Sequence, residues 1–304
     1  MEKEFKNSFY NRISTSVFLI VLIFSVILLE KFWLFYTSIL LISILSLFEW
    51  LSNDNDKKGW FYKNWFLNLK GPLGLLARIL LFILIFIVPI YVDIIILITA
   101  IVFLLLTLYL SAKSINIIID KYHKKNISFE NHSFGLALIF NFYVGSIIYI
   151  DGNSSFEPIS RYYVFLYIIM NTAIFDTFAY LIGSKFGQNF IFSDISPKKT
   201  LEGLLGGFFA VAIYSFLTCS FIDYFYYGEI SNYIYLIIFV SIIGGFFAFT
   251  GDLLISYLKR DSGVKDTGKI LPGHGGILDR IDSHLIATPI MITMFFVLLD
   301  FINI

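Results

Sequence analysis

Apolar runs recur along the whole chain, and their length constrains the fold more than any other feature of the sequence. Nine runs of roughly 17 to 25 residues follow one another, and about 20 apolar residues in an α-helix span the hydrocarbon core of a bilayer. Only 14% of the residues are charged, against about 25% in an ordinary soluble domain. We therefore expect an all-α fold, a polytopic integral membrane protein with about nine transmembrane helices.

The predicted spans form one membrane domain whose two parts differ in polarity. The spans are placed at residues 14–30, 32–51, 73–89, 91–112, 134–150, 162–182, 203–222, 232–257 and 284–302. In the N-terminal part, residues 1–170, the few charged residues inside spans are Glu49, Arg78 and Asp93. Each lies near a predicted span end, where snorkelling to the interface accounts for it. In the C-terminal part, residues 171–304, polar residues are dense, and we expect the chemistry there.

Lys and Arg are unevenly distributed among the connections between spans. The N-terminus and the connections 52–72, 113–133, 183–200 and 259–283 hold 19 of the 22 basic residues. Because basic connections of membrane proteins stay in the cytoplasm, the N-terminus and these four connections are predicted to be cytoplasmic. Nine spans then leave the C-terminus outside the cell membrane. The formal net charge is zero, which gives no indication of nucleic-acid binding.

A polar stretch, "NTAIFDTFAYLIGSKFG" at residues 171–187, interrupts the sixth predicted span. Asp176 lies in the middle of this span, and Tyr180 follows four residues later on the same helix face. Such a carboxylate is either satisfied by a neighbouring helix or faces a water-filled cavity that holds a cation. The second interpretation is favoured, because ionisable residues inside membranes usually mark functional sites.

The segment "SPKKTLEGLLGG", residues 196–207, is typical of a helix start. Ser196 and Thr200 are candidate caps. Lys198 and Lys199 stand where the helix dipole disfavours cations. Two lysines beside unpaired helix N–H groups instead indicate a seat for phosphate. The three glycines in this segment permit the close approach of another helix.

Three aspartates flank a charged, glycine-rich connection near the end of the chain. Asp252 closes the eighth apolar run, and Asp279 and Asp282 project from one face of a helix start. Because Mg²⁺ binds a few carboxylates together with phosphate oxygens and water, these three residues are candidate magnesium ligands. Asp176 is a further candidate. Asp279 and Asp282 are alternatively simple helix caps.

Five basic residues accompany these aspartates: Lys259, Arg260, Lys265, Lys269 and Arg280. They are suited to neutralising a polyphosphate, or alternatively they only mark the cytoplasmic side of the membrane. Their convergence with three aspartates in one connection favours a phosphate-binding site. His274 has no partner at metal-ligand spacing, so a zinc site is not expected.

The segment "SYLKRDSGVKDTGKILPGHGGILDRID", residues 256–282, resembles the signature of phosphatidate cytidylyltransferases, also called CDP-diacylglycerol synthases. Every specified position of that signature is met, from Ser256 to Asp282. The two polar blocks upstream also resemble motifs of this family and occur in the same order. In the first block the basic residue, Lys185, is displaced by one place from the family pattern, so its role is not carried over.

The resemblance implies the transfer of CMP from CTP to phosphatidate, which gives CDP-diacylglycerol and pyrophosphate. The catalytic residues on this interpretation are Asp252, Lys259, Arg260, Asp279 and Asp282. The substrate-binding residues are Ser196, Lys198, Lys199, Thr200, Lys265, Asp266, His274, Gly275, Gly276 and Arg280. The cofactor is Mg²⁺, as one or two ions, and the partners are CTP, phosphatidate and the lipid bilayer, with a homodimer as an open option.

Two other functions are compatible with the sequence. A CTP-dependent transferase or kinase could act on another membrane lipid through the same residues. An ion-coupled transporter could use Asp176 as its coupling-ion site, but it would leave the basic residues beside the three aspartates unexplained.

Overall fold

The computed structural model describes the chain as a bundle of α-helices. The described residues are 17, 20–51, 93–122, 131–151, 160–193, 195–226, 231–261, 264, 266–268, 270–271 and 275–302. The helices are α1 (20–28), α2 (Phe32–Leu51), α3 (Asp93–Tyr122), α4 (Asn131–Asp151), α5 (Arg161–Phe186), α6 (Leu201–Tyr226), α7 (Ile234–Asp261), α8 (Leu278–Ile281) and α9 (His284–Ile302). Within these ranges there is no β-strand.

The helical fold is confirmed, and four helices have the length and apolar composition needed to cross a membrane. These four are α2, α5, α6 and α7, whereas α3, α4 and α9 contain shorter apolar stretches. The predicted span at 73–89 lies outside the described residues. The protein is therefore an integral membrane protein, but the number of nine spans is not confirmed.

Several helices continue beyond their predicted ends, α3 by ten residues and α5, α6 and α7 by four each. Helix α3 reaches Tyr122 rather than residue 112, because the polar residues after 112 include neither Gly nor Pro to stop it. Helix α7 reaches Asp261 and so contains Lys259 and Arg260, which were predicted to lie in a connection. Basic residues in a last turn interact favourably with the helix dipole. The end of an apolar run therefore does not mark the end of its helix.

Close packing of α5 against α6 brings the two polar blocks of the sequence together. A Cβ at Gly203 would lie 2.5 Å from the carbonyl oxygen of Ala179 and 3.1 Å from the Cα of Gly183. A Cβ at Gly206 would meet Ile182 at 2.4 Å, and one at Gly207 would meet Phe175 at 2.7 Å. The predicted close approach of a helix to these glycines is confirmed, and α5 is that helix.

Helices α7 and α9 form the buried centre of the bundle. Leu253 and Leu254 of α7 and Met291 of α9 are fully buried. Polar groups at this depth need partners inside the protein, because lipid offers none. The hydroxyl of Tyr167 on α5, for example, donates to Ser215 Oγ on α6 at 2.8 Å.

Candidate active site

An ion pair joins the segment before α6 to helix α7. The ammonium Nζ of Lys199 lies 2.8 Å from Oδ2 of Asp252. The same ammonium is 3.4 Å from the carbonyl oxygen of Phe249 and lies 4.3 Å from the centre of the Phe249 ring. Asp252 Oδ1 accepts a hydrogen bond from the Ser256 hydroxyl at 3.1 Å. Both oxygens of Asp252 are therefore engaged.

Two further carboxylates, Asp176 of α5 and Asp282 of the turn after α8, interact electrostatically with this pair. The side chain of Asp176 lies near that of Ser283. Asp282 Oδ1 accepts from the backbone N–H of Ser283 at 2.9 Å. The structure thus brings together residues from four parts of the sequence: Asp176, Lys199, Asp252 and Asp282.

Glycine makes the approach of α7 to this turn possible. A Cβ at Gly251 would lie 2.7 Å from the backbone oxygen of Asp282 and 3.1 Å from that of Ser283. Because these are backbone atoms, a larger residue could not be accommodated without separating α7 from the turn. Gly251 therefore sets the separation between its neighbour Asp252 and Asp282.

The cluster is recessed below the ends of its helices. Asp176 lies ten residues before the end of α5 at Phe186, and Asp252 lies nine residues before the end of α7 at Asp261. At a rise of 1.5 Å per residue, these positions are about 14 Å from the helix ends. The side chain of Asp252 is nevertheless 33% exposed. The carboxylate of Asp252 is therefore only partly enclosed at this depth.

The environment of Asp282 disfavours its negative charge. Burial, and then the nearby carboxylate of Asp252, raise the pKa of Asp282 to about 8. A cation placed between these carboxylates would remove that penalty, and carboxylate oxygens are the ligands that Mg²⁺ prefers. The donor chemistry of Asp176, Asp252 and Asp282 therefore fits a magnesium ion.

The present arrangement does not yet form a coordination shell. Among the described residues, no three His, Cys, Asp or Glu side chains are grouped closely enough to hold a metal ion. Lys199 holds the Oδ2 of Asp252 that a metal would need. A metal ion at Asp252 would compete with Lys199 for this carboxylate, and magnesium at these residues stays a prediction.

Asp279 makes contacts different from those of the other aspartates. Its Oδ1 accepts from Lys259 Nζ at 2.9 Å, and its Oδ2 accepts from the backbone N–H groups of Thr267 at 2.8 Å and Gly276 at 3.0 Å. Burial alone would raise the pKa of Asp279, but the Lys259 ammonium and these N–H donors outweigh it and lower the pKa. In this structure Asp279 organises the connection, and its role as a metal ligand stays a prediction.

The turn before α8 depends on a glycine. Gly275 has a φ of +82°, a conformation that residues with a side chain rarely adopt. Its carbonyl oxygen accepts from the N–H of Leu271 at 2.9 Å, and a Cβ would lie 2.9 Å from Asp279 Oδ2. Gly275 therefore belongs to the fold of this connection, whatever it contributes to nucleotide binding.

The other predicted site residues occupy the rim of the site or lie outside the described residues. Thr200 is a confirmed helix cap, since its hydroxyl accepts from the N–H of Gly203 at 3.2 Å. Arg260 is exposed, and its guanidinium donates to the Val264 carbonyl at 3.4 Å. Lys198, Asp266 and Arg280 are exposed and Ser196 is half-buried. Lys265, Lys269 and His274 lie outside the described residues.

One functional candidate, Glu49, was misinterpreted from the sequence. Snorkelling to the interface is wrong for this residue, because Glu49 is only 5% exposed. Its carboxylate instead accepts hydrogen bonds from the connection before α8. The signal was present in the sequence, since a carboxylate in an otherwise apolar helix needs a partner, but the partner lies more than 200 residues away.

Comparisons of the sequence with known proteins identify the family of this chain. Residues 10–298 match the profile of the Cytidylyltransferase family. A phosphatidate cytidylyltransferase of Thermotoga maritima is 41% identical over 133 residues, which cover 44% of this chain and 49% of that protein. One from Staphylococcus aureus is 34% identical over 168 residues, covering 55% of this chain and 60% of that protein. The matches thus span about half of the length of these curated relatives.

Proposed function

The chain belongs to the cytidylyltransferase family, and we propose that it transfers CMP from CTP to phosphatidate, giving CDP-diacylglycerol and pyrophosphate. The observation that carries this proposal is the convergence of Lys199 with Asp176, Asp252 and Asp282 in a recessed site of an integral membrane protein. A site of this kind combines phosphate-binding and metal-binding groups at a depth that a lipid headgroup can reach from the bilayer. The named relatives support the choice of phosphatidate and CTP.

The proposed reaction is a substitution at phosphorus. An oxygen of the phosphatidate phosphate attacks the α-phosphorus of CTP, and a new P–O bond forms. The bond from the α-phosphorus to the bridging oxygen of the β-phosphate breaks, and pyrophosphate leaves with that electron pair. The nucleophile is already an anion at neutral pH, so no strong general base is required. The main barrier is the approach of two anions, which the protein lowers by positioning and charge neutralisation.

Basic residues of the site supply the charge neutralisation. Lys199 is placed to exchange Asp252 for an anionic phosphate, and Lys198 is exposed beside it. These two residues would hold either the phosphatidate phosphate or the departing pyrophosphate. Arg260 and Arg280 are exposed at the rim and would hold the triphosphate of CTP, because guanidinium groups bind phosphate oxygens in pairs.

Magnesium would be held by Asp252 and Asp282, with Asp176 as a third candidate. When bound, the ion would neutralise charge on the transferring and leaving phosphates. The part of the protein in this step is to supply carboxylates whose mutual repulsion favours a cation, and to release Asp252 from Lys199. Asp279 would act indirectly, by keeping Lys259 and the connection in place.

The site would face the cytoplasm, where CTP is available. The basic connections that follow α2, α5 and α7 were predicted to share the cytoplasmic side. Contacts between Glu49 near the end of α2 and the connection after α7 support a common side for two of them.

The test is pyrophosphate release by the purified protein in detergent micelles that contain phosphatidate. We expect release that requires CTP, phosphatidate and Mg²⁺ together. A panel of other nucleotides and of other phosphorylated or hydroxylated membrane lipids should give little product. Release of CDP instead of pyrophosphate, or a preference for a different lipid acceptor, would contradict the proposal.

A further inference from the structure

A carboxylate from the N-terminal part of the chain holds the connection that carries the site. Glu49 lies in the last turn of α2. Its Oε1 accepts from the backbone N–H of Ile277 at 2.9 Å, and its Oε2 accepts from that of Leu278 at 2.9 Å. The hydroxyl of Thr267 also donates to Oε2, at 3.3 Å. Three donors from one connection therefore converge on a single buried side chain.

Helix α8 is capped from a distance by this carboxylate. The first N–H groups of a helix have no partner within it, and the residue at the start of α8, Ile277, has no side chain that could cap it. Glu49 takes the place of a local cap. A helix of four residues, Leu278–Ile281, has little internal hydrogen bonding to maintain its position, so it depends on such external contacts.

The connection is shaped to receive the carboxylate. A Cβ at Gly268 would lie 2.5 Å from Glu49 Oε1, and a Cβ at Gly276 would lie 2.4 Å from Glu49 Oε2. The backbone therefore approaches Glu49 on two sides, as only glycine permits. Glycine is therefore needed at both positions for the packing of the connection against Glu49, independently of nucleotide binding.

Two acidic side chains hold the same short stretch, Glu49 from α2 and Asp279 from α8 itself. Glu49 binds Thr267, Ile277 and Leu278 from α2. Asp279 binds the N–H groups of Thr267 and Gly276 and is itself held by Lys259 of α7. The turn that follows carries Asp282, only four residues after Leu278. A shift of the start of α8 would therefore displace Asp282 from Asp176 and Asp252.

From these contacts we propose that Glu49 is a positioning residue for the reaction: it holds Thr267, Ile277 and Leu278 in place so that Asp282 stays in the cluster. The proposal rests on the proposed function for its catalytic consequence. Its structural half, the immobilisation of the connection, stands on the hydrogen bonds of Glu49. Glu49 does not contact the reacting groups in this arrangement.

The connection requires hydrogen-bond acceptors at position 49, not only a side chain of the size of Glu. Both oxygens of a carboxylate accept, whereas the amide of Gln has one oxygen and one NH₂ group. In Glu49→Gln the NH₂ group must face either the Ile277 or the Leu278 N–H, so one buried donor loses its acceptor. Because Gln and Glu have nearly the same shape, this substitution tests the hydrogen bonds of Glu49 without changing the packing of α2.

The experiment combines hydrogen exchange with steady-state kinetics on the full-length protein in detergent, comparing wild type, E49Q and S46A. Ser46 is buried one turn away on α2, and its hydroxyl donates to the Ile42 carbonyl of its own helix. We expect E49Q to exchange the Ile277 and Leu278 amides about tenfold faster or more, with unchanged exchange in α5. We also expect kcat to fall about tenfold or more while KM for CTP changes by less than about threefold. S46A should match wild type in both measurements.

The proposal would be overturned if the Ile277 and Leu278 amides of E49Q exchanged as slowly as in wild type. It would also be overturned if S46A lost as much amide protection and kcat as E49Q. If E49Q does not insert or fold, E49D decides: it keeps the charge but is shorter by one methylene, so local exchange should still accelerate. If the wild-type protein shows no CTP-dependent pyrophosphate release, the proposed function fails. The exchange result would still decide whether Glu49 holds the connection.

Discussion

The ammonium of Lys199 lies 2.8 Å from the carboxylate of Asp252 and links the start of α6 to α7 across the candidate site. The contact joins a residue predicted to bind phosphate to a residue predicted to bind metal. Their opposite charges neutralise each other, so a phosphate at Lys199 or a cation at Asp252 would compete with this contact.

Replacing Lys199 with Met should distinguish its ion pair with Asp252 from its proposed role in binding phosphate. Without the ammonium, Asp252 loses its ion-pair partner, so Tm in chelator should fall by about 4 °C or more. Mg²⁺ should then raise Tm more in K199M than in wild type, because no lysine competes for Asp252. Activity should fall about 100-fold or more, since a cation at the phosphate is lost. Wild-type activity in K199M would exclude Lys199 from phosphate binding.

Asp282→Asn should abolish turnover without destabilising the metal-free protein. The pKa of Asp282 is raised to about 8, so the folded protein at neutral pH already holds this side chain largely protonated, and an amide resembles that form. The stability that a protonated Asp282 contributes is lost as pH rises through about 8. In chelator, the Tm of wild type should therefore fall relative to that of D282N between about pH 4 and pH 8.

The matched control for D282N is D223N, at the other end of α6 and outside the site. It should retain wild-type activity, while D282N loses about 100-fold or more. Near-normal turnover by D282N in a protein that inserts normally would refute its assignment as a magnesium ligand.

Asp279 should show the opposite pH dependence. Its pKa is lowered in the folded protein, where the Lys259 ammonium and two N–H groups outweigh the effect of burial. Its stabilising contribution is present above the ordinary carboxyl pKa of 3.8 and is lost as pH falls through the lowered value. Thermal unfolding should show wild type more stable than D279N at neutral pH, with the difference shrinking toward about pH 3. A difference that is independent of pH would argue against this ion pair.

Gly203→Ala should weaken the α5–α6 contact on which the site depends. The added Cβ would lie 2.5 Å from the Ala179 carbonyl oxygen, and a backbone atom cannot move aside without shifting the helix. We expect a loss of about 1–3 kcal/mol in unfolding free energy. The control is Leu205→Ala on the same helix, where the side chain is 58% exposed. In a mixed-micelle denaturation series this substitution should reduce the unfolding free energy by less than Gly203→Ala.

The sequence predicted the helices and the membrane environment because both follow from local patterns. The length of an apolar run and a helix cap such as Thr200 are readable without knowing the partner. The glycines of α6 likewise predicted a close contact, although not that α5 supplies it. Helix ends were less predictable, because α3 and α7 continue into polar sequence beyond the end of the apolar run.

The candidate site was predictable in its residue types and not in its contacts. Asp176 stood out as a charge inside an apolar span, whereas Lys199, Asp252 and Asp282 stood out as charges in polar segments at the ends of apolar runs. The structure brings the four together. Whether an aspartate faces a metal or an N–H group depends on tertiary geometry, which is why Asp279 could not be distinguished from Asp282. Glu49 was misinterpreted for the same reason, since its partners belong to a distant part of the chain.

The fate of the CTP phosphates decides the proposed chemistry. Purified protein is incubated with phosphatidate micelles, Mg²⁺ and CTP labelled at either the α- or the γ-phosphorus, and the lipid is extracted. Label from the α position should enter the lipid fraction, and label from the γ position should stay in the aqueous phase as pyrophosphate. Label from the γ position in the lipid would identify a kinase, and the absence of both labels from the lipid would contradict cytidylyl transfer to phosphatidate.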